Sequence, residues 1–154
     1  DVRNLDVVVV STPSDFLCFY VPVMRGANNQ PLPRHLWNLF AGIESLQITC
    51  TDARTLELRP DGGFLPPGWS RMFRSPAYPF HAGQVIDLKA LRIEVMSVTE
   101  DGRPADVRFT FDRPLDDPAF RFFAWTGSRY EPFEVPAVGE SRTIPALPWT
   151  WFLS

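Results

Sequence analysis

His35 and His81 are the only imidazoles in this 154-residue chain. An imidazole can serve as a general base or as a metal ligand near neutral pH. Neither histidine has a cysteine or carboxylate at metal-ligand spacing, and both sit in Pro-rich segments, beside Arg34 and Phe80. That context reads as a surface or hydrogen-bonded histidine. Ser11 or Ser14 with one histidine and Asp15 would supply the parts of a nucleophilic triad, but such a triad is defined by geometry that spacing does not dictate. Asp112, Asp116 and Asp117 form the densest acidic group. Calcium requires several oxygen ligands to converge, yet Arg113 lies among these carboxylates and D-x-D-x-D spacing is absent. The better reading is a strand-ending turn in which aspartates satisfy backbone donors.

Other chemistry lacks its motif. The apolar run at 7–10 leads into STPSD, not into G-x-G-x-x-G or G-x-x-x-x-G-K, so no phosphate cradle follows a strand. No G-x-S-x-G elbow is present. We therefore expect no catalytic residues, no metal ligands and no cofactor. Cys18 and Cys50 lack C-x-x-C spacing. They read as two buried small hydrophobes, with a Cys18–Cys50 disulfide in an oxidising compartment as the alternative.

Composition narrows the partners. The net charge is −3 and Lys89 is the only lysine among fifteen basic residues. The arginines are scattered, so no basic stripe tracks a phosphate backbone, and nucleic-acid binding is not expected. The longest uncharged apolar run, 16–24, is about half of the roughly 20 residues that cross a bilayer. No transmembrane segment is expected in this chain. The opening Asp1-Val2-Arg3 carries no leader pattern, and a start so close to an apolar strand reads as a piece excised from a longer protein.

The elements that must position any site are mostly strands. Sixteen prolines disfavour long helices, and thirteen Phe and five Trp can fill a core. LDVVVV at 5–10 is a continuous β-branched run, the pattern of a strand covered on both faces. Ser14 or Asp15 can cap a short helix over 16–20, with Pro22 arguing against a long one. Residues 26–35 read as a loop, and 36–40 fit either a helical turn or a strand. Leu46, Ile48 and Cys50 alternate with polar residues, as do Leu56 and Leu58, predicting a hairpin with one wet face. Residues 66–83 carry no sustained periodicity, with one helical turn at 69–73. Strands are expected at 85–88, 91–98 and 107–111, with Leu91, Ile93, Val95, Val107, Phe109 and Phe111 inward. The connection runs through Asp101-Gly102. A further hairpin, 120–125 with 129–133, turns at Gly127-Ser128, and a last strand spans 141–144. The sum is one mostly β globular domain over 1–154, a β-sandwich or partly closed barrel of about seven short strands. One or two short helices fall in its N-terminal half.

In the 120–134 hairpin, period-2 alternation sets Phe120, Phe122 and Phe133 on the core face. Phe123, Trp125 and Tyr130 fall on the other. These three need a cover, either the apolar tail with Trp149 and Trp151 or a partner. Phe123, Trp125, Tyr130, Trp149 and Trp151 are thus the candidate binding patch. Exposed Trp69, Trp125, Trp149 and Trp151 would instead suit a carbohydrate-binding module, and a cleft around His35 or His81 would suit a hydrolase with a loop-assembled site.

Several segments carry a resemblance: TLELRPDGGFL at 55–65, MFR at 72–74, Phe80 with Gly83, FTFDRPLDDP at 109–118 and PFEVPAVGE at 132–140. Over residues 5 to 145 the pattern resembles the C-terminal soluble region of uncharacterised bacterial multi-pass membrane proteins. FTFDRPLDDPAF is also similar to the F-x-x-P-L/M-D strand end of bacterial immunoglobulin-like modules. The first resemblance implies a non-catalytic accessory or interaction domain on the periplasmic or extracytoplasmic side. Its partner would be another protein or the membrane portion of the same polypeptide.

Overall fold

The computed structural model describes residues 1–65 and 77–148. The helical turn expected at 69–73, Trp69, Trp149 and Trp151 lie outside the described residues. The described residues are mostly β, with ten strands in two open sheets and one α-helix. The strand count exceeds the expected seven; the strand that periodicity left undecided is the one at 35–38, in a segment that fitted either a helical turn or a strand. The chain divides into two compact units, and its path leaves the first for the second and returns.

The first unit comprises Asp1–Ile43, Asp116–Val135 and the described residues from Leu147. It holds strand β1 (Asp6–Ser11), helix α1 (Asp15–Ala27) and strand β2 (His35–Asn38). From the later part of the chain it takes β8 (Phe120–Trp125) and β9 (Tyr130–Pro132). The sheet order is β2-β1-β8-β9. β1 runs parallel to both β2 and β8, with Val8 opposite Trp37 on one side and Phe122 on the other. β9 closes the edge antiparallel to β8, pairing Trp125 with Tyr130 as the hairpin register predicts. Val8 and Val10 are fully buried and Val9 nearly so, which is what a β-branched run in a central parallel strand requires.

Helix α1 corrects the short helix expected at 16–20. It continues through Pro22 for thirteen residues. Proline there removes one backbone hydrogen bond, to the Cys18 carbonyl, and crowds it. The topology outweighs that cost. A six-residue strand rises roughly 20 Å, and about thirteen helical residues are needed to return that distance before a parallel strand can start. The far end is well capped. The Asn28 and Gln30 amides donate to Met24 and Arg25 carbonyls at 3.1 and 2.8 Å, and Asn29 adopts φ 55°.

The second unit comprises the described residues of Glu44–Leu115 and Pro136–Ala146. Its strands are β3 (Leu46–Asp52), β4 (Thr55–Pro60), β5 (Val85–Leu88), β6 (Leu91–Val98), β7 (Pro104–Phe111) and β10 (Ser141–Ile144). They form an antiparallel sheet in the order β10-β3-β4-β7-β6-β5. Both expected hairpins, β3–β4 and β6–β7, are present. Of the six residues expected inward on β6 and β7, five are buried and Ile93 is half-buried. The opposite face is a cross-strand polar ladder. Arg108 lies opposite Glu57 on one neighbour and Glu94 on the other, reaching them at 2.7 and 3.7 Å. Arg59 grips Asp106 through two nitrogens, and the Ser97 hydroxyl donates to the same carboxylate at 2.6 Å. Such alternation is the one-wet-face pattern read from the sequence.

Candidate docking face and cavity of the helix

Helix α1 is apolar around most of its circumference, DFLCFYVPVMRGA, with Asp15 and Arg25 as its only charges. Phe16, Phe19, Tyr20, Val23, Met24 and Ala27 fall at i, i+3, i+4, i+7, i+8 and i+11, the spacing of one continuous stripe. In a globular protein that stripe ordinarily faces the core. Here it faces outward. Phe16, Phe19, Tyr20 and Val23 are 60–68% exposed, and Met24 and Ala27 are exposed as well.

The side of α1 toward the sheet carries no aromatic ring. Cys18, Val21, Pro22 and Arg25 line a cavity of about 290 Å³, whose floor is Val7 and Val9 of β1, Leu36 of β2, Phe123 of β8 and Tyr130 of β9. Val2 and Pro33 complete its walls. The cavity exists because the helix turns the aromatic rings of Phe16, Phe19 and Tyr20 to the solvent side and leaves Cys18 and Pro22 over the sheet. Its polar groups are few. The Tyr130 hydroxyl is taken up at 2.7 Å by the Thr12 hydroxyl, and burial raises the tyrosine's pKa against that bond. The Arg25 guanidinium donates through Nε and Nη2 to the Pro31 carbonyl, at 3.0 and 2.8 Å. No carboxylate among the described residues pairs with it. Burial and then nearby Asp15 push the Cys18 thiol up to about 11, so it stays protonated at neutral pH.

Two of the five residues expected in an aromatic patch therefore come together in this cavity wall, Phe123 and Tyr130. Trp125 packs edge-on against Tyr130, ring centres 5.0 Å apart, and is half-buried. The two faces of the hairpin are assigned as alternation predicts: Phe120 and Phe122 are buried, and Phe133 is half-buried. The cover over Phe123 and Tyr130 includes α1, which sequence reasoning did not consider. Of the apolar tail, Leu147 is tied to this unit by its amide, which donates to the Ile43 carbonyl at 2.8 Å.

The chemistry-bearing residues are dispersed. Asp6 is fully buried at the start of β1, where Arg34 grips it through Nε and Nη2 at 2.9 and 2.7 Å. His35 adds a third bond at 2.9 Å from Nδ1 to the same carboxylate, and its ring stacks on Trp37 at 4.7 Å. This cluster fastens β2 to β1. Ser11, Ser14 and Asp15 follow the opposite end of β1, roughly 15 Å further along, so they assemble no triad with His35. Asp15 instead accepts from the Asn38 amide at 3.0 Å. Asp117 performs the turn role expected of it, accepting from the Ala119 amide at 2.8 Å. His81 is exposed in a turn with Gln84. Among the described residues no three His, Cys, Asp or Glu side chains converge as a metal group. Cys18 and Cys50 are each free and buried, one in each compact unit. No helix among the described residues is long and apolar enough to cross a membrane.

No protein-family model matches this chain, and neither a curated protein nor a solved structure matches it.

Proposed function

We propose that this chain is a non-catalytic interaction domain that docks an apolar protein surface on the outer face of α1. The observation that carries the reading is the inverted helix. A stripe with the spacing of a core-facing seam, built from Phe16, Phe19, Tyr20, Val23 and Met24, is exposed. Contiguous apolar surface of this kind marks an interaction site. Spacing at i, i+3, i+4 and i+7 is that of helix anchors received by a groove or a second helix. A lipid surface is a poorer match, because interfacial helices add basic residues that meet anionic headgroups. This stripe has none, and the chain carries −3 with a single lysine. The resemblance to soluble regions of bacterial membrane proteins supplies a setting, the extracytoplasmic side, with the partner belonging to the same polypeptide or to its neighbour. A sugar-binding row or a hydrolytic cleft has no comparable support among the described residues, where Trp125 is half-buried and the Asp6–His35 pair fastens two strands.

A photo-reactive residue in place of Phe19, followed by identification of its mate and titration of the purified mate, tests the reading. One protein mate is expected, with affinity lowered at least about tenfold by Phe19→Ser, the loss of a buried anchor. Phe19→Ser should change folding stability by less than about 0.5 kcal/mol, as for an exposed site. Cross-links to lipid alone, or titration unaffected by Phe19→Ser, would refute it.

A further inference from the structure

We infer that the cavity beneath α1 is a binding site for an unbranched acyl chain ending in a carboxylate, with Arg25 meeting the head. The site is separate from the outer stripe and independent of the docking reading. Three observations converge on it. The floor of Val7, Val9, Leu36 and Phe123 offers no hydrogen-bonding side chain, so the body of the ligand must be apolar. The other polar lining groups offer little to a charged head: the Tyr130 hydroxyl is bound by Thr12, and a Cys18 thiol is only a weak donor.

Arg25 is the exception. Its bonds to the Pro31 carbonyl use Nε and Nη2 and hold the guanidinium beside the cavity with Nη1 left over. A carbonyl does not neutralise that charge. A guanidinium held in place at the solvent-facing rim of the cavity donates charge-assisted bonds to a carboxylate.

Size selects the chain. An apolar cavity of about 150 Å³ accepts benzene, so one of about 290 Å³ holds roughly ten to twelve carbons by the same scale. A medium-length straight chain also suits a slot between a helix and a sheet, because it bends where a rigid ring system would not.

Calorimetric titration of the intact chain with decanoate below its micelle-forming concentration tests the assignment, with decanol and acetate as comparisons. Decanoate should bind at one saturable site, decanol more weakly and acetate not at all. Arg25→Gln should weaken decanoate by about tenfold, the loss of one charge-assisted contact, and leave decanol nearly unchanged. Cys18→Leu from the helix side and Leu36→Phe from the sheet side each take up only part of the cavity, and so shorten the chain it can hold. Either one, if folded, should weaken binding of both ligands without lowering the melting temperature. Phe19→Ser should leave decanoate binding intact, which separates this site from the docking face. Absence of saturable decanoate binding overturns the inference. So does decanoate affinity that Arg25→Gln leaves unchanged, or binding that Phe19→Ser removes and Cys18→Leu spares.

Discussion

Cys18 and Phe19 are consecutive residues of α1 that lie on opposite sides of it: Cys18 is 4% exposed and lines the cavity, whereas Phe19 is 64% exposed. Hydrophobicity alone would order them the other way, since a phenyl ring gains far more from burial than a thiol. The helix therefore sacrifices packing on both sides, leaving space within and apolar surface without. An exposed apolar stripe and an apolar cavity beneath it follow from that single inversion.

The thiols give the first prediction. With both cysteines free and buried, a thiol reagent at mildly alkaline pH should react slowly with the native chain and titrate two groups in denaturant. Burial, then Asp15, holds the Cys18 pKa at about 11, above the ordinary thiol value of about 8.5. The unfolded chain thus loses this proton before the folded chain does. The stability tied to the neutral thiol is complete below the unfolded value and is lost as pH rises toward 11. Cys18→Ala should flatten that alkaline decline in denaturant melts, and an unfolded, unreduced wild type with no titratable thiol would contradict the arrangement.

The Asp6 cluster gives the second. The carboxylate is fully buried while Arg34 remains partly exposed, so the two deletions are unequal. Arg34→Met strands a buried charge and should cost about 2 kcal/mol, somewhat below a fully enclosed pair because His35 still bonds to Asp6. Asp6→Val together with Arg34→Met removes both charges and should recover part of that loss. Urea melts of the single and double variants check the order, which reverses if the pair is only a surface contact.

Acid unfolding gives the third. The hydrogen bond from Arg59 lowers the Asp106 pKa, helped by Ser97 and opposed by burial. Its contribution is complete above the unfolded carboxylate value, about 3.9, and disappears as pH falls through the lower folded value. Asp106→Asn and Arg59→Gln should each make stability less steep between about pH 5 and pH 2. An unchanged slope in both variants would mean that the β4–β7 ladder contributes nothing to acid resistance.

Much of this molecule is determined locally. Period-2 alternation in β3, β4, β6 and β7 needs no distant information, because each side chain's face follows from its neighbours. The same rule divided the hairpin phenylalanines between two faces, and a two-residue turn at Gly127-Ser128 sets Trp125 opposite Tyr130. The β-branched run at β1 announced a strand covered on both sides. None of these readings identified what the covers are.

Tertiary structure decided the rest. β1 and β8 are parallel neighbours more than a hundred residues apart in sequence, and parallel pairing leaves no turn signal between the two strands. The length of α1 was set by the distance back along β1, a constraint that Pro22 opposed and that appears only once β2 is known to be parallel. The aromatic stripe on α1 was present in the residues all along, spaced as a seam. Periodicity identifies a face without saying which way it points; only the position of the sheet shows that this one points outward and that a cavity lies beneath the helix.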